Sequence, residues 1–263
     1  MKTIAIANQK GGVGKTTLAR NLVFFALEKK LRVLCVDFDP QKNFSKTFVS
    51  MFERENSGVP DAEHLLASQL FDGEEIALSP MVCGNGISLV AASRELVDVA
   101  ARPLETMHAP RAALNKLSAA YDLCVIDTAP TLGQPLYAAL IAADFVVCPC
   151  TMDQDAIDGL GDLFEDIARV QQLEWNRKLT MLGLVANRVN KRRVFDNNAL
   201  DELRNELGDI VLPAVLYDRA ATQYAKDRPV WRIQSGESQK LAAQEMKAIC
   251  GQILRMAMEG NMK

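Results

Sequence analysis

Two lysines stand five residues apart in a glycine-rich run, Asn8-Gln9-Lys10-Gly11-Gly12-Val13-Gly14-Lys15-Thr16-Thr17. Glycines let successive backbone N–H groups curl inward around an anion. A lysine followed by a hydroxyl is the pair that meets phosphate and metal: Lys15 reaches the β- and γ-phosphates of a nucleotide, and the Thr16 hydroxyl holds Mg²⁺. Three carboxylates could complete such a site. Asp37 and Asp39 lie in Asp37-Phe38-Asp39-Pro40-Gln41, and Asp127 in Asp127-Thr128-Ala129-Pro130. A carboxylate near Mg²⁺ holds the metal through one of its waters, and another can orient an attacking water.

Strands must bring these groups together. Residues 3–7 are apolar and read as a buried strand, and residues 18–27 have helical apolar spacing. Strand, glycine turn and helix in that order is the context a phosphate loop requires, with the helix start adding free N–H groups and a positive dipole end. Residues 32–37 and 121–127 are further strands, and each ends in an aspartate. Acids at the C-terminal ends of parallel strands lie on the ligand-binding edge. Asp39 is thereby a candidate for orienting water and Asp37 for a supporting or Mg²⁺-linked role; an Asp-Pro turn that only ends the strand is the plainer alternative. Asp127 is the candidate metal-side carboxylate.

The remaining chain continues the alternation. Residues 43–60 are polar and mixed, with Gly58 and Pro60 marking a turn, and Asp61 is placed to cap a short helix over 61–66. A turn at 84–86 precedes a strand at 87–90, and 94–101 and 109–120 read as helices, the latter with Leu114 and Leu117 inward. Helix 136–143, strand 144–149, a long amphipathic helix from 155 to about 172 and strand 179–187 follow. A closing helix, 238–258, carries Leu241, Met246, Ile249, Ile253 and Leu254 near one face. Such alternation argues one domain over 1–263: a mostly parallel, right-handed α/β sheet with helices on both faces; with a glycine-rich phosphate loop after its first strand, it resembles the P-loop NTPase fold.

Composition excludes several classes. The chain has 263 residues, 49% of them hydrophobic and 24% charged, with net charge −3. That is ordinary for a soluble globular chain and rules out a whole-protein basic field, so any nucleic-acid contact must come from a local patch. No long apolar run suits a membrane span, and no secretory signal is read at the start. Four of the six cysteines fall in strands, where the thiol packs as a small apolar group. Cys148-Pro149-Cys150 lacks the second ligand pair that a metal site needs, and His64 and His108 stand alone.

The loop departs from the generic G-x-x-x-x-G-K-[ST] pattern, because its first glycine falls on Gln9. Lys10-Gly11-Gly12-Val13-Gly14-Lys15-Thr16 instead resembles the deviant Walker A of the ParA/MinD group of P-loop ATPases. Asp37-x-Asp39-Pro40-Gln41 resembles the switch I segment of ParA-type ATPases, and Asp127-Thr128-x-Pro130 their switch II. The three motifs occur in order, and the likeness runs over essentially the whole chain, in a short form without a helix-turn-helix ahead of the loop. It implies ATP and Mg²⁺ as ligands. Residues Lys10 to Thr17 would hold the nucleotide, Thr16 and Asp127 the metal, and Lys15 and Asp39 would act in hydrolysis. Lys10 would cross to the nucleotide of a second subunit, so that two chains sandwich two ATP molecules.

Asn187-Arg188 at a strand end suits adenine, since an amide pairs with the purine edge, or it is merely a strand-end turn. In the family reading, residues 212–216, Pro213 among them, form the other side of the base pocket. Arg188, Lys191, Arg192 and Arg193 form one basic group, and Arg219, Lys226 and Arg228 belong to a second; a solvated face is the simple reading. ParA-type ATPases bind DNA non-specifically through basic residues of this part of the chain. The resemblance thus implies a slow, partner-stimulated ATPase, cytoplasmic and nucleoid-associated, that partitions plasmid or chromosomal DNA with a ParB-like adaptor. Two alternatives are a positioning ATPase for a protein cargo, such as a carboxysome or chemoreceptor cluster, and a MinD-like membrane-cycling division regulator. The latter is disfavoured by the short polar tail after 258, which cannot anchor.

Overall fold

The computed structural model describes residues 1–56, 63–73, 77–84, 86–225, 227–233 and 236–259. Its strands are β1 (Lys2–Ile6), β2 (Val33–Phe38), β3 (Met81–Gly84), β4 (Ile87–Val90), β5 (Leu123–Thr128), β6 (Phe145–Cys150), β7 (Thr180–Val189) and β8 (Leu216–Tyr217). They form one eight-stranded sheet in the order β3-β4-β2-β5-β1-β6-β7-β8. Every neighbouring pair is parallel except β3 with β4. The helices are α1 (Lys15–Glu28), α2 (Asn43–Asn56), α3 (Ala109–Leu117), α4 (Gln134–Ala142), α5 (Gln154–Gln172), α6 (Val194–Leu207), α7 (Ala220–Tyr224) and α8 (Gly236–Glu259).

Period-two alternation explains why both sheet faces are covered. In β1, Ile4 and Ile6 pack on one side with Leu18, Leu22 and Ile249, whereas Ala5 packs on the other with Leu136, Ala139 and Leu163. Strands buried on both faces read as continuous apolar runs, as β2 and β5 do. The parallel order sends the C-terminal ends of β1, β2, β5, β6 and β7 to one edge. Register sets Asp127 beside both Ile6 and Asp37, so the acids and the loop after β1 share that edge. The β1–β2 and β5–β6 connections lie to opposite sides there, the crevice where open α/β sheets bind ligands.

Several expectations need correction. The polar stretch after residue 43 is helical, because Phe44 and Phe48 repeat at a helical interval and are fully buried, with their rings T-shaped at 5.1 Å. Average polarity hid that stripe. Glu63 to Leu66 form no helix: Leu66 bridges Ala91 in parallel and the Leu65 N–H donates to the Ser79 carbonyl. A 3₁₀ helix at Ala67–Phe71 follows. The proposed cap Asp61, Gly58, Pro60, Asn85 and the tail 260–263 lie outside the described residues. Arg94–Ala101 winds as a 3₁₀ helix. In α8, Met246, Ile249, Ile253 and Leu254 are buried but Leu241 is 39% exposed. All six cysteines are free and buried, and His108 packs edge-on against Trp175. Among the described residues no helix is long and apolar enough to cross a membrane.

Candidate functional site

Three polar side chains, those of Asn8, Lys15 and Asn187, bond to the backbone of the loop between β1 and α1. Gly14, at φ 96°, ends it in a left-handed conformation that side chains rarely adopt. A Cβ there would lie 2.2 Å from Nδ2 of Asn187, and that same amide donates to the Val13 carbonyl at 2.6 Å. Asn8, wholly buried, donates to the Pro149 carbonyl at 2.9 Å and accepts the Lys10 N–H at 2.8 Å. From inside the loop, Lys15 Nζ donates to the carbonyls of Asn8 and Lys10 at 2.8 and 3.0 Å. Burial lowers the Lys15 pKa, and the nearby Asp127 charge opposes that shift. Substituting Gly14→Ala must displace Asn187 besides imposing a left-handed alanine, which alone costs about 1–2 kcal/mol. The expected outcome is a lower melting temperature together with nucleotide binding weakened about tenfold or more, that is by at least about 1.4 kcal/mol; unchanged values in a thermal melt and a fluorescent-nucleotide titration would contradict this placement.

At the sheet edge Thr16 Oγ1 donates to Asp127 Oδ2 at 2.7 Å. The other carboxylate oxygen, Oδ1, is buried and has no hydrogen-bond partner among the described residues. Burial pushes the Asp127 carboxyl well above the usual range, and the Asp37 charge adds to this; the Thr16 bond and Lys15 work against it. An orphaned buried acceptor beside a threonine hydroxyl is a donor set for a hard divalent cation. No cluster of three or more His, Cys, Asp or Glu among the described residues could hold a metal alone. That is the Mg²⁺ pattern, in which one or two protein oxygens share the ion with water and phosphate.

Asp37 is differently engaged. Its Oδ1 accepts the Asp39 N–H at 3.0 Å, while Oδ2 accepts both the N–H and hydroxyl of Ser45 at 2.8 and 2.6 Å. Burial pushes Asp37 up to about 6, with these bonds opposing. Asp37 therefore fixes the start of α2 and the backbone of Asp39, a supporting place. Asp39 is nearly buried, its Oδ1 accepting the Gln41 N–H at 2.9 Å. Thr128 Oγ1 donates to the Ile6 carbonyl at 2.9 Å and ties the two strand ends together.

Lys10 points away from its own loop. Its Nζ meets Asp155, in the first turn of α5, at 2.6 Å, on an open surface. A cavity of about 310 Å³ opens beside Gly11 and Gly12, lined also by Asp153, Arg188, Asn190 and Arg193. Arg188 has φ 55° and stands 3.9 Å from Asp218.

Three expected ligand residues are placed otherwise. Asn187 is buried against the loop, not displayed on an open purine pocket, because its amide is drawn into the gap left by Gly14. Its Oδ1 is a second buried acceptor without a partner among the described residues. Pro213 is exposed, and its carbonyl accepts from Arg204 at 3.3 Å. Arg219 cannot serve as a free basic side chain: Glu245 holds it in a two-pronged, largely buried ion pair at 2.7 Å. Lys191, Arg192 and Arg193 are exposed between β7 and α6, with Lys191 stacked over Tyr217 at 3.9 Å. Arg228 is exposed and pairs with Asp227, whereas Lys226 lies outside the described residues. Sequence reading quoted Asn8 within the loop run without giving it a role, and missed Ser45 and Asp155 as neighbours of the site. Only Asn8 carried a signal, as an amide wedged between a buried strand and the glycines.

Residues 1–181 match the family described as AAA domain, AAA_31. Protein IncC of Escherichia coli is 34% identical over 255 residues, covering 95% of this chain and 68% of that relative. The chromosome-partitioning ATPase Soj of Thermus thermophilus is 33% identical over 217 residues, covering 82% of this chain and 81% of Soj. Among solved structures, a protein described as a plasmid partition protein of Borrelia burgdorferi, bound to AMPPNP, aligns with TM-score 0.74 and 26% identity, covering 94% of this chain and 97% of that one.

Proposed function

The chain belongs to the ParA-type partition ATPases, and on that footing we propose that it is an ATP-driven switch whose active site is completed by a second copy of itself. ATP would lie in the loop at Lys10 to Thr17 with Lys15 against its β- and γ-phosphates. Thr16 and Asp127 fit Mg²⁺, which when bound offsets the charge shared by those phosphates. Asp39 positions the attacking water, and Asp37 holds Asp39. Asn187, bonded to the Val13 carbonyl, serves first to hold the loop, and its unpartnered Oδ1 is an acceptor an adenine amino group could use only after Asn187 moves out from under the loop.

The observation that carries the composite site is the separation of the two lysines. Lys15 fills the interior of its own loop, whereas Lys10 is turned outward onto exposed Asp155. Two nucleotides brought face to face repel each other, and an outward lysine from each chain supplies the cation between them. Such a C₂ pairing uses the same surface on both copies.

In the ATP-bound dimer, Lys191, Arg192 and Arg193 would present paired basic patches to DNA phosphates, with Arg188 and Arg228 as flanking contacts. Contacts of this kind carry no base readout. Hydrolysis would dissolve the dimer and release DNA, and a ParB-like partner bound to the cargo would set its timing. The expected result is DNA binding that requires ATP, ignores sequence and weakens steeply with salt. Replacing Lys191, Arg192 and Arg193 together by alanine should make the slope of log K against log salt shallower by about 3 per chain. Failure of the ATP-bound protein to bind DNA at low salt would remove the DNA part of this reading.

A further inference from the structure

Gln9 occupies the position where the generic phosphate loop has its first glycine, and neither nucleotide binding nor hydrolysis as proposed here uses its side chain. Its Nε2 donates to Asp166 Oδ2 at 2.7 Å. Asp166 is 4% exposed, within the last third of α5. The other oxygen, Oδ1, accepts the hydroxyl of Tyr137 on α4 at 2.6 Å, and that hydroxyl in turn accepts from Arg169 at 2.8 Å. A single buried carboxylate thus joins the loop entrance, α5, and the helix that follows the Asp127 segment.

Three consecutive residues of the loop entrance face α5 or the strand before it. Asn8 donates to Pro149 of β6, and a Cβ on Gly159 of α5 would lie 3.9 Å from its Oδ1. Gln9 is bonded to Asp166, and Lys10 to Asp155. The last two contacts differ in kind. Asp155 is exposed, with 78% of its side chain open to solvent, so water readily replaces its bond to Lys10. Asp166 is enclosed, and removing its partner leaves a buried charged oxygen short of a bond.

We propose that Gln9 is a positioning residue: by anchoring the loop entrance to Asp166, it holds the Lys10 backbone fixed while the Lys10 side chain leaves Asp155 for the nucleotide of the second subunit. This rests on the composite-site reading. The Asp155 contact is the latch that opens and the Asp166 contact is the pivot that does not. Through Tyr137 the pivot also ties the lysine's origin to α4, so the Asp127 segment and the trans lysine keep one geometry. Gln9 touches no reacting atom and acts only through Lys10.

The test uses the full chain with AMPPNP, measuring dimerisation by analytical ultracentrifugation and nucleotide binding at monomer concentration. Gln9→Gly restores the generic loop pattern. It is expected to bind AMPPNP within about threefold of wild type while its dimerisation weakens about tenfold or more, the scale of one hydrogen bond to a charged group. For ATP turnover the prediction is a lower kcat at unchanged KM. Gln9→Glu sets two carboxylates together and should be at least as poor. Combining Gln9→Glu with Asp166→Asn exchanges donor and acceptor, leaves the Tyr137 bond an oxygen to donate to, and should return dimerisation to within about threefold of wild type, as coupled neighbours do. Normal dimerisation of Gln9→Gly, or a reversed pair no better than Gln9→Glu alone, overturns the proposal. A variant that lost stability instead of geometry would show a lowered melting temperature and weakened nucleotide binding together, which also counts against it. Lys10→Ala in the same assay separates the two levels. If it dimerises normally the composite site itself fails; if it is impaired while Gln9→Gly is not, only the role of Gln9 fails.

Discussion

Substituting Asp39→Ala is expected to lower ATP turnover by a factor of about 10² to 10⁴, the range for a side chain that handles a proton or water in the transition state. Nucleotide binding should survive, because Asp39 takes no part in the loop's own hydrogen bonds, which come from Asn8, Lys15 and Asn187. The protein should then accumulate as an ATP-bound dimer. Two bonds hold the residue in place, since Asp37 fixes its backbone N–H and its own Oδ1 closes a turn on Gln41. That turn is also the competing explanation, since an Asp-Pro step can serve only to end β2. Asp39→Asn separates them. An asparagine keeps the acceptor for Gln41 but loses the carboxylate, so turnover should fall nearly as far as with alanine. Turnover close to wild type in Asp39→Asn would make Asp39 a turn residue and nothing more.

The second large effect is expected for Lys10→Ala. Lys10 makes no contact inside its own loop through its side chain, whose ammonium sits on Asp155 at 2.6 Å. Its loss should leave nucleotide binding by the monomer within a few-fold of wild type. Across a dimer face, by contrast, it removes the cation that lies between two polyphosphates, so ATP-dependent dimerisation should weaken by roughly 10² or more, the loss expected for truncating one member of a buried charge pair. Sedimentation with AMPPNP gives the dimerisation constant and fluorescent-nucleotide titration the monomer's affinity. Equal losses in both would place Lys10 in its own site and remove the argument for a second subunit.

Much of this site is legible in the sequence. The glycine run between an apolar strand and a helix, with two later strands ending in Asp37 and Asp127, determines which groups can meet, because parallel strands deliver their C-terminal ends to one edge. Local chemistry decides such features, and a sequence displays it. What stayed hidden depends on distance through space. Asn187 has the composition of a base contact, yet the absent side chain of Gly14 draws it under the loop, and no spacing along the chain relates positions 14 and 187. Arg219 looks as basic as Arg192 until Glu245, far along the chain in α8, neutralises it. Helix α2 was concealed by its polar outer face, although Phe44 and Phe48 sat at the proper interval. The pairing of Gln9 with Asp166, 157 positions apart, is of the same kind.

The most direct test of the composite site is to mix Lys10→Ala protein with Asp39→Ala protein and measure ATP turnover. Each is expected to be nearly inactive alone. In a mixed dimer the site on the Lys10→Ala chain retains its own Asp39 and receives Lys10 from the other chain, so one of the two sites is whole. Random C₂ pairing sets a ceiling of roughly a quarter of wild-type turnover at equal concentrations; because Asp39→Ala favours its own dimer and Lys10→Ala pairs weakly, the expected recovery lies below that ceiling and rises as Lys10→Ala protein is added in excess. A mixture that never exceeds the sum of its two inactive parents would contradict the account, because it would mean that each chain completes its site without the other.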